Sequence, residues 1–172
     1  MSTQRAAGTA GPAPADPVSP APRTPPAYPA YPAPAALVGR DQDIREVLRL
    51  LAEPEVWGAQ LHGGPGIGKS RLARAVAAAV PGETLTVDLR AYRGGAADGP
   101  EGCHPAVRAV AELGCEPGRL ELLVLDGPDH LSPTELRQVL DAARGRADRC
   151  LVALRHPADV PGLRPYRVSA LP

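Results

Sequence analysis

Lys69 is the only lysine in the chain; every other basic side chain is arginine or histidine. It closes the run Gly63-Gly64-Pro65-Gly66-Ile67-Gly68-Lys69-Ser70. The run fits G-x-x-x-x-G-K-[ST], a pattern whose chemistry is the cradling of phosphate. Phosphates crowd negative charge into a small volume, so backbone N–H groups must surround them where side chains would clash. Gly63, Gly64, Gly66 and Gly68 let the backbone come that close. A helix starting near Lys69 aims its free N–H groups at the same point, with roughly +0.5 of an elementary charge at that end. Lys69 reaches the outer phosphates of a nucleotide, and Ser70 offers a hydroxyl to Mg²⁺. A compact ammonium on a flexible stem fits between phosphates where a planar guanidinium does not.

A second group belongs to the same chemistry. Leu120 to Asp126, LELLVLD, reads as a buried strand that ends in a carboxylate. Phosphoryl chemistry needs a carboxylate at such a tip, facing Mg²⁺. The plainer reading of Asp126 is an Asp that starts the turn at Gly127-Pro128. Arg155 closes the following strand, CLVALR. It either touches the γ-phosphate or is a solvated strand-end arginine.

These residues need elements to hold them. DQDIREVLRLLA carries Ile44, Val47, Leu48 and Leu51 on one helical stripe, and Pro54 ends it. Val56 to His62 is predicted as a strand running into the glycine loop, and Lys69 to Val80 as the helix after it. Thr84 to Leu89 is predicted as a second strand, and Pro105 to Leu113 as a short helix with Pro at its first position. Ser132-Pro133-Thr134-Glu135 is a capping box opening another helix. Cys150 to Leu154 and Tyr166 to Ser169 are predicted as the fourth and fifth strands. Strands alternate with helices, so the expected fold class is α/β: a small five-stranded parallel sheet with helices on both faces.

Composition narrows the function classes. The 172 residues carry no net charge, so neither direct nucleic-acid binding nor a charge-driven partner is expected. The chain has no Phe and one Trp, so its core must be Leu, Val and Ala. No apolar run is long enough for a bilayer, and no signal peptide is visible. Cys103, Cys115 and Cys150 are odd in number and irregularly spaced, which reads as reduced thiols in a cytoplasmic protein. A metal site from Cys103, His104 and Cys150 is conceivable, though the spacing does not ask for it. Residues 1–36 contain ten prolines and are expected to be a disordered Pro/Ala-rich tail, a flexible tether. Residues 37–172 are expected to form the ordered domain.

LVGRD, GGPGIGKS, TVDLRAY, LLVLDG and CLVALR, in this order, resemble the nucleotide-binding domain of STAND P-loop ATPases of the NB-ARC type, as found in large bacterial transcriptional regulators. The resemblance covers Leu37 to the C-terminus. It implies a P-loop NTPase fold with the strand order of the additional-strand class, binding of ATP or ADP with Mg²⁺, and slow switching. It implies that Val38, Gly39 and Arg40 lie beside the base, and that Arg155 acts as the first sensor.

The chain departs from the family pattern after Asp126. Gly127 and Pro128 stand where an acidic or amide residue is usual, so the group that would polarise an attacking water is missing. Asp129 is a poor substitute, and Gly127→Asp is expected to restore the carboxylate and raise turnover. A helical segment usual before the strand is shortened to CEPGRLE. Family proteins continue beyond the equivalent of Leu171-Pro172 into modules that form a lid and an output surface, so a protein partner supplying either is expected. Three readings follow: an ATP- or ADP-binding regulatory module with weak or absent hydrolysis, a slow Mg-dependent ATPase acting with a partner chain, or a non-binding interaction remnant.

Overall fold

Alternation of apolar strands with amphipathic helices produces one parallel sheet covered on both faces. The computed structural model describes residues 39–93, 104–113 and 119–170. The N-terminal tail and Val38 lie outside the described residues, as do Cys103 and Cys115. The strands are β1 (Gly58–His62), β2 (Thr84–Asp88), β3 (Leu120–Asp126), β4 (Ala147–Leu154) and β5 (Leu163–Arg167). The helices are α1 (Asp41–Leu51), α2 (Lys69–Ala79), α3 (Pro105–Ala111) and α4 (Pro133–Arg144), with a 3-10 turn at Leu89–Tyr92.

The sheet order is β2-β3-β4-β1-β5, and every pairing is parallel. β4 is thus an additional strand between β1, which runs into the glycine loop, and β3, which ends in Asp126. Because all strands point one way, the loop and Asp126 emerge at the same sheet edge. Ligands of open parallel sheets lie at that edge.

β3 shows how the sequence makes this layering. Its side chains alternate between two packed faces. Leu122 and Val124 pack with α1 and α2 against Val47, Leu72 and Val76. Leu123 and Leu125 pack with α3 and α4 against Val110, Val139 and Leu140. All four β3 residues have no exposed surface. With both faces covered, a near-continuous apolar run is what a central parallel strand requires. Truncating one such leucine to alanine costs about 2–5 kcal/mol.

Helix ends follow local chemistry. Asp41 and Asp43 sit in the first turn of α1 and Arg49 in its last, each complementing the helix dipole. The Ser132 side chain accepts from the Glu135 N–H, and the Glu135 carboxylate accepts from the Ser132 N–H, so the predicted capping box starts α4.

Four predicted strands change their bounds, and α1, α2 and α3 end one to two residues early, at Leu51, Ala79 and Ala111. β1 begins at Gly58 rather than Val56. Leu89 leaves β2 for the 3-10 turn, where it is fully buried. β4 begins at Ala147, before Cys150, because Ala147 pairs with Leu120 although Asp148 beside it is exposed. β5 is Leu163–Arg167 rather than Tyr166–Ser169. Pro165 within it lacks an N–H, which an edge strand tolerates.

Candidate functional site

The glycine loop is rooted at the end of β1 between two neighbours. The Gly63 N–H donates to the Arg155 carbonyl at 3.3 Å, and the Val168 N–H donates to the His62 carbonyl at 2.9 Å. Gly66 and Gly68 take φ of +74° and +99°, which an L side chain rarely adopts. A Cβ added at Gly64, Gly66 or Gly68 would meet no atom within 4 Å. The Cβ directions of these three glycines therefore point into open space. Gly68 is also the N-cap of α2, so the helix N-terminus opens onto that space.

Lys69 arches over this loop. Its Nζ donates to the carbonyls of Gly63 and Gly64, both at 2.8 Å. Burial lowers its pKa from the usual 10.5; Arg155 nearby adds to this, while Asp129 and Asp126 oppose it. Lys69, Arg155, Asp126 and Asp129 thus share one electrostatic neighbourhood, although the Arg155 side chain itself is exposed.

Ser70 and Asp126 meet at the centre. Ser70 Oγ donates to Asp126 Oδ1 at 2.8 Å. Asp126 is 4% exposed. Its other oxygen is held by a residue the sequence reading did not assign to the site: Arg90 donates from a terminal nitrogen to Oδ2 at 2.9 Å. The same guanidinium grips Asp88, with Nε to Oδ1 at 2.8 Å and a terminal nitrogen to Oδ2 at 3.0 Å. Asp88 and Asp126 are register partners on β2 and β3. Two carboxylates side by side need a cation between them, and Arg90 supplies it. The signal was present in TVDLRAY, an arginine two residues past a strand-end Asp, but its reach to Asp126 is visible only in three dimensions.

Arg90 also corrects the expectation for Gly127. Gly127 has φ +71°, and a Cβ there would lie 2.6 Å from Arg90 Cγ and 2.8 Å from Cδ. The place beside Asp126 is filled by the Arg90 stem. A carboxylate at 127 cannot simply be restored, and turnover is not expected to rise.

Asp129 has a supporting role. Its Oδ1 accepts the Arg155 N–H at 2.6 Å, tying the turn after β3 to the end of β4. Gln60, in the middle of β1 and 3% exposed, was also unassigned. Its amide nitrogen donates to the Ala158 carbonyl and its amide oxygen accepts the Ala158 N–H, each at 2.8 Å. A polar side chain inside a buried strand is the signal that marks it.

On the outer side of the loop, Arg40 is 5% exposed. It ion-pairs with Asp43 at 2.9 Å and donates to the Ile67 carbonyl at 3.0 Å. The Tyr166 hydroxyl donates to Asp43 at 2.5 Å. Arg40 thus links α1 to the glycine loop, and Tyr166 links β5 to α1. Gly39 precedes it at φ +78°. Pro65 is exposed at the crown of the loop, whereas Ile67 packs partly against the α1/α2 core.

Among the described residues no group of three or more His, Cys, Asp or Glu could hold a metal. His104 caps α3, its Nδ1 accepting the Ala106 N–H, and Cys150 is buried in the core, where burial pushes its thiol pKa up. Ser70 and Asp126 fit the sparser demand of Mg²⁺, which takes few protein ligands and fills its shell with phosphate oxygens and waters. No described helix is long and apolar enough to cross a membrane. A groove of about 420 Å³ lined by Leu48, Leu51, Val80 and Arg149 lies at the opposite, strand-start end of the sheet, away from these residues. No protein-family model matches the chain, and no curated protein does either.

Proposed function

We propose that this protein is a nucleotide-binding regulatory module with a P-loop NTPase fold of the STAND, NB-ARC-like type, taking ATP or ADP with Mg²⁺. The observation that carries the reading is the meeting of Ser70 with Asp126 beside the open Gly63–Ser70 loop and Lys69. Neither residue type nor spacing alone demands that convergence. The strand order, with β4 between β1 and β3, supports it.

In this reading the loop's backbone and the start of α2 hold the phosphates. Lys69 exchanges its bonds to the Gly63 and Gly64 carbonyls for bonds to outer phosphate oxygens. Ser70 and Asp126 hold the metal, which supplies charge neutralisation on the phosphates. Arg155, on the same edge, reports the terminal phosphate. Gly39 and Arg40 lie towards the base. Hydrolysis is weak, because Gly127 and Pro128 offer nothing to orient a water and Arg90 fills the space beside them. A protein partner closes the crevice and carries the output.

Mass spectrometry of the nucleotide that co-purifies identifies the ligand. Calorimetry with ATP and ADP then compares wild type with Lys69→Ala. Each charge-assisted bond to phosphate is worth about 1.5–3 kcal/mol, so affinity should fall about ten- to a hundredfold. Phosphate release should stay far below the ~10 s⁻¹ of a median enzyme. Unchanged affinity in Lys69→Ala counts against the reading. Robust turnover that vanishes in Lys69→Ala makes the protein an ATPase outright.

A further inference from the structure

Asp126 is the residue on which a divalent cation would depend, yet both its oxygens are already engaged. Ser70 holds Oδ1 and Arg90 holds Oδ2. The Arg90–Asp126 pair is partly sheltered, with side-chain exposures of 42% and 6%. Asp88 cannot drift away to release the guanidinium, because it also accepts the Arg90 N–H at 3.0 Å and its strand pairs with β3. Leu89, fully buried, anchors the turn that carries Arg90. Arg90 is therefore a cation tethered to Asp88 beside the Asp126 carboxylate.

We infer that Arg90 is an internal counter-ion that competes with a divalent cation for Asp126, so that the protein takes its nucleotide with little dependence on Mg²⁺. The inference rests on the nucleotide reading above.

The charge arrangement explains both halves. Without Arg90, Asp88, Asp126 and Asp129 would outnumber Lys69 and Arg155 among the described charges that face a polyanionic phosphate chain. Repulsion among these groups would make a divalent cation necessary. With Arg90 in place, the three carboxylates Asp88, Asp126 and Asp129 are matched by three cations, Lys69, Arg90 and Arg155, so metal-free nucleotide meets no net negative charge from these groups. A divalent cation carries twice the charge and takes Asp126 once phosphate oxygens fill out its shell. The guanidinium then keeps its two bonds to Asp88 and gives up the one to Asp126. Only the side chain moves. The cation must displace an existing partner, so its advantage is reduced.

The test compares wild type, Arg90→Gln and Arg90→Lys. Affinity for a fluorescent ADP is measured in EDTA and in millimolar Mg²⁺. Wild type should change by less than about threefold between buffers, and Arg90→Gln by at least about tenfold, a difference of about 0.7 kcal/mol or more. Mn²⁺ binding without nucleotide, followed by water-proton relaxation, should be several-fold tighter in Arg90→Gln than in wild type. Arg90→Lys keeps the charge and guards against loss of folding in the glutamine variant. Its single ammonium cannot grip Asp88 at two atoms and Asp126 together, so it should shift both measurements the same way by less. Equal Mn²⁺ affinity across the three proteins, or equal Mg²⁺ dependence in wild type and variants, overturns the inference. Altered Mn²⁺ affinity with no nucleotide bound in either buffer supports the competition and overturns the nucleotide reading alone.

Discussion

The Ser70 hydroxyl donates to Asp126 across 2.8 Å, although the two residues are 56 apart in sequence. One begins a helix and the other ends a strand, and the sheet order brings them together across β4. The bond ends on a buried carboxylate, where such bonds are worth about 1.5–3 kcal/mol. Ser70→Ala should lower the unfolding free energy in urea by that order, while Arg90 keeps Asp126 partnered and the fold intact. Affinity for Mg-nucleotide should drop more than affinity for metal-free nucleotide. An unchanged urea midpoint would show that the bond contributes nothing.

Gly127→Asp tests the correction at the turn after β3. It combines a φ of +71° with a Cβ 2.6 Å from Arg90 Cγ. A strained backbone costs about 1–3 kcal/mol, before any displacement of Arg90 is counted. The variant should melt several degrees lower and show no increase in phosphate release. A faster enzyme of undiminished stability would mean that Arg90 yields freely.

Tyr166 and Asp43 make stability depend on pH in a defined direction. Burial opposes ionisation of Asp43, but its bonds from Tyr166 and Arg40 outweigh this and hold its carboxyl below the usual 3.8. Burial, with the bond to Asp43, pushes Tyr166 up to about 12 from 10.0. Between those values the unfolded chain releases the phenolic proton and the folded chain keeps it, so stability falls as pH rises. The Tyr166 contribution is fully present below pH 10 and lost as pH passes about 12. Tyr166→Phe should cost about 1 kcal/mol at neutral pH, and its deficit against wild type should shrink through that alkaline window. A deficit that stays constant from neutral to alkaline pH would separate the Tyr166 bond from this titration.

Gln60→Leu fills the same buried space but strands the N–H and C=O of Ala158. Each orphaned group costs about 1–3 kcal/mol unless water reaches it. The amide of Ala158 should exchange with deuterium much faster than in wild type, while amides of β3 keep their protection. Slow exchange at Ala158 in the variant would show that other contacts hold this loop.

Much of the fold was legible because single strong signals coincide with single elements. The unbroken apolar run Leu120 to Leu125 and the capping box at Ser132 and Glu135 appear where they were predicted. The glycine loop was legible as a strand-to-helix turn and Asp126 as the tip of a buried strand, and the sheet brings the two together. Strand ends at the sheet margin were not. Asp148 and Arg149 look like loop residues, yet they extend β4, because Ala147 and Arg149 pair with β3. Pro165 disguised β5, whose register is set by β1. Arg90 and Gln60 escaped for a related reason. Their partners are fixed by tertiary placement, and nothing in their immediate neighbours announces an arginine that spans two strands or a glutamine that clamps a distant peptide.

The position of β1 has a consequence for how the chain is made. It lies between β4 and β5, the last two strands in sequence, and Gln60 finds its partner Ala158 only 98 residues downstream. During synthesis β2 and β3 can pair early, but β1 must wait with both edges open until β4 and β5 have emerged. Closing so long a loop is entropically slow, and unpaired strand edges invite association in the meantime. The glycine loop hangs from β1, so it takes shape only once β4 and β5 have joined the sheet. A growing or truncated chain that lacks β4 and β5 therefore presents an adhesive strand before it presents a binding site.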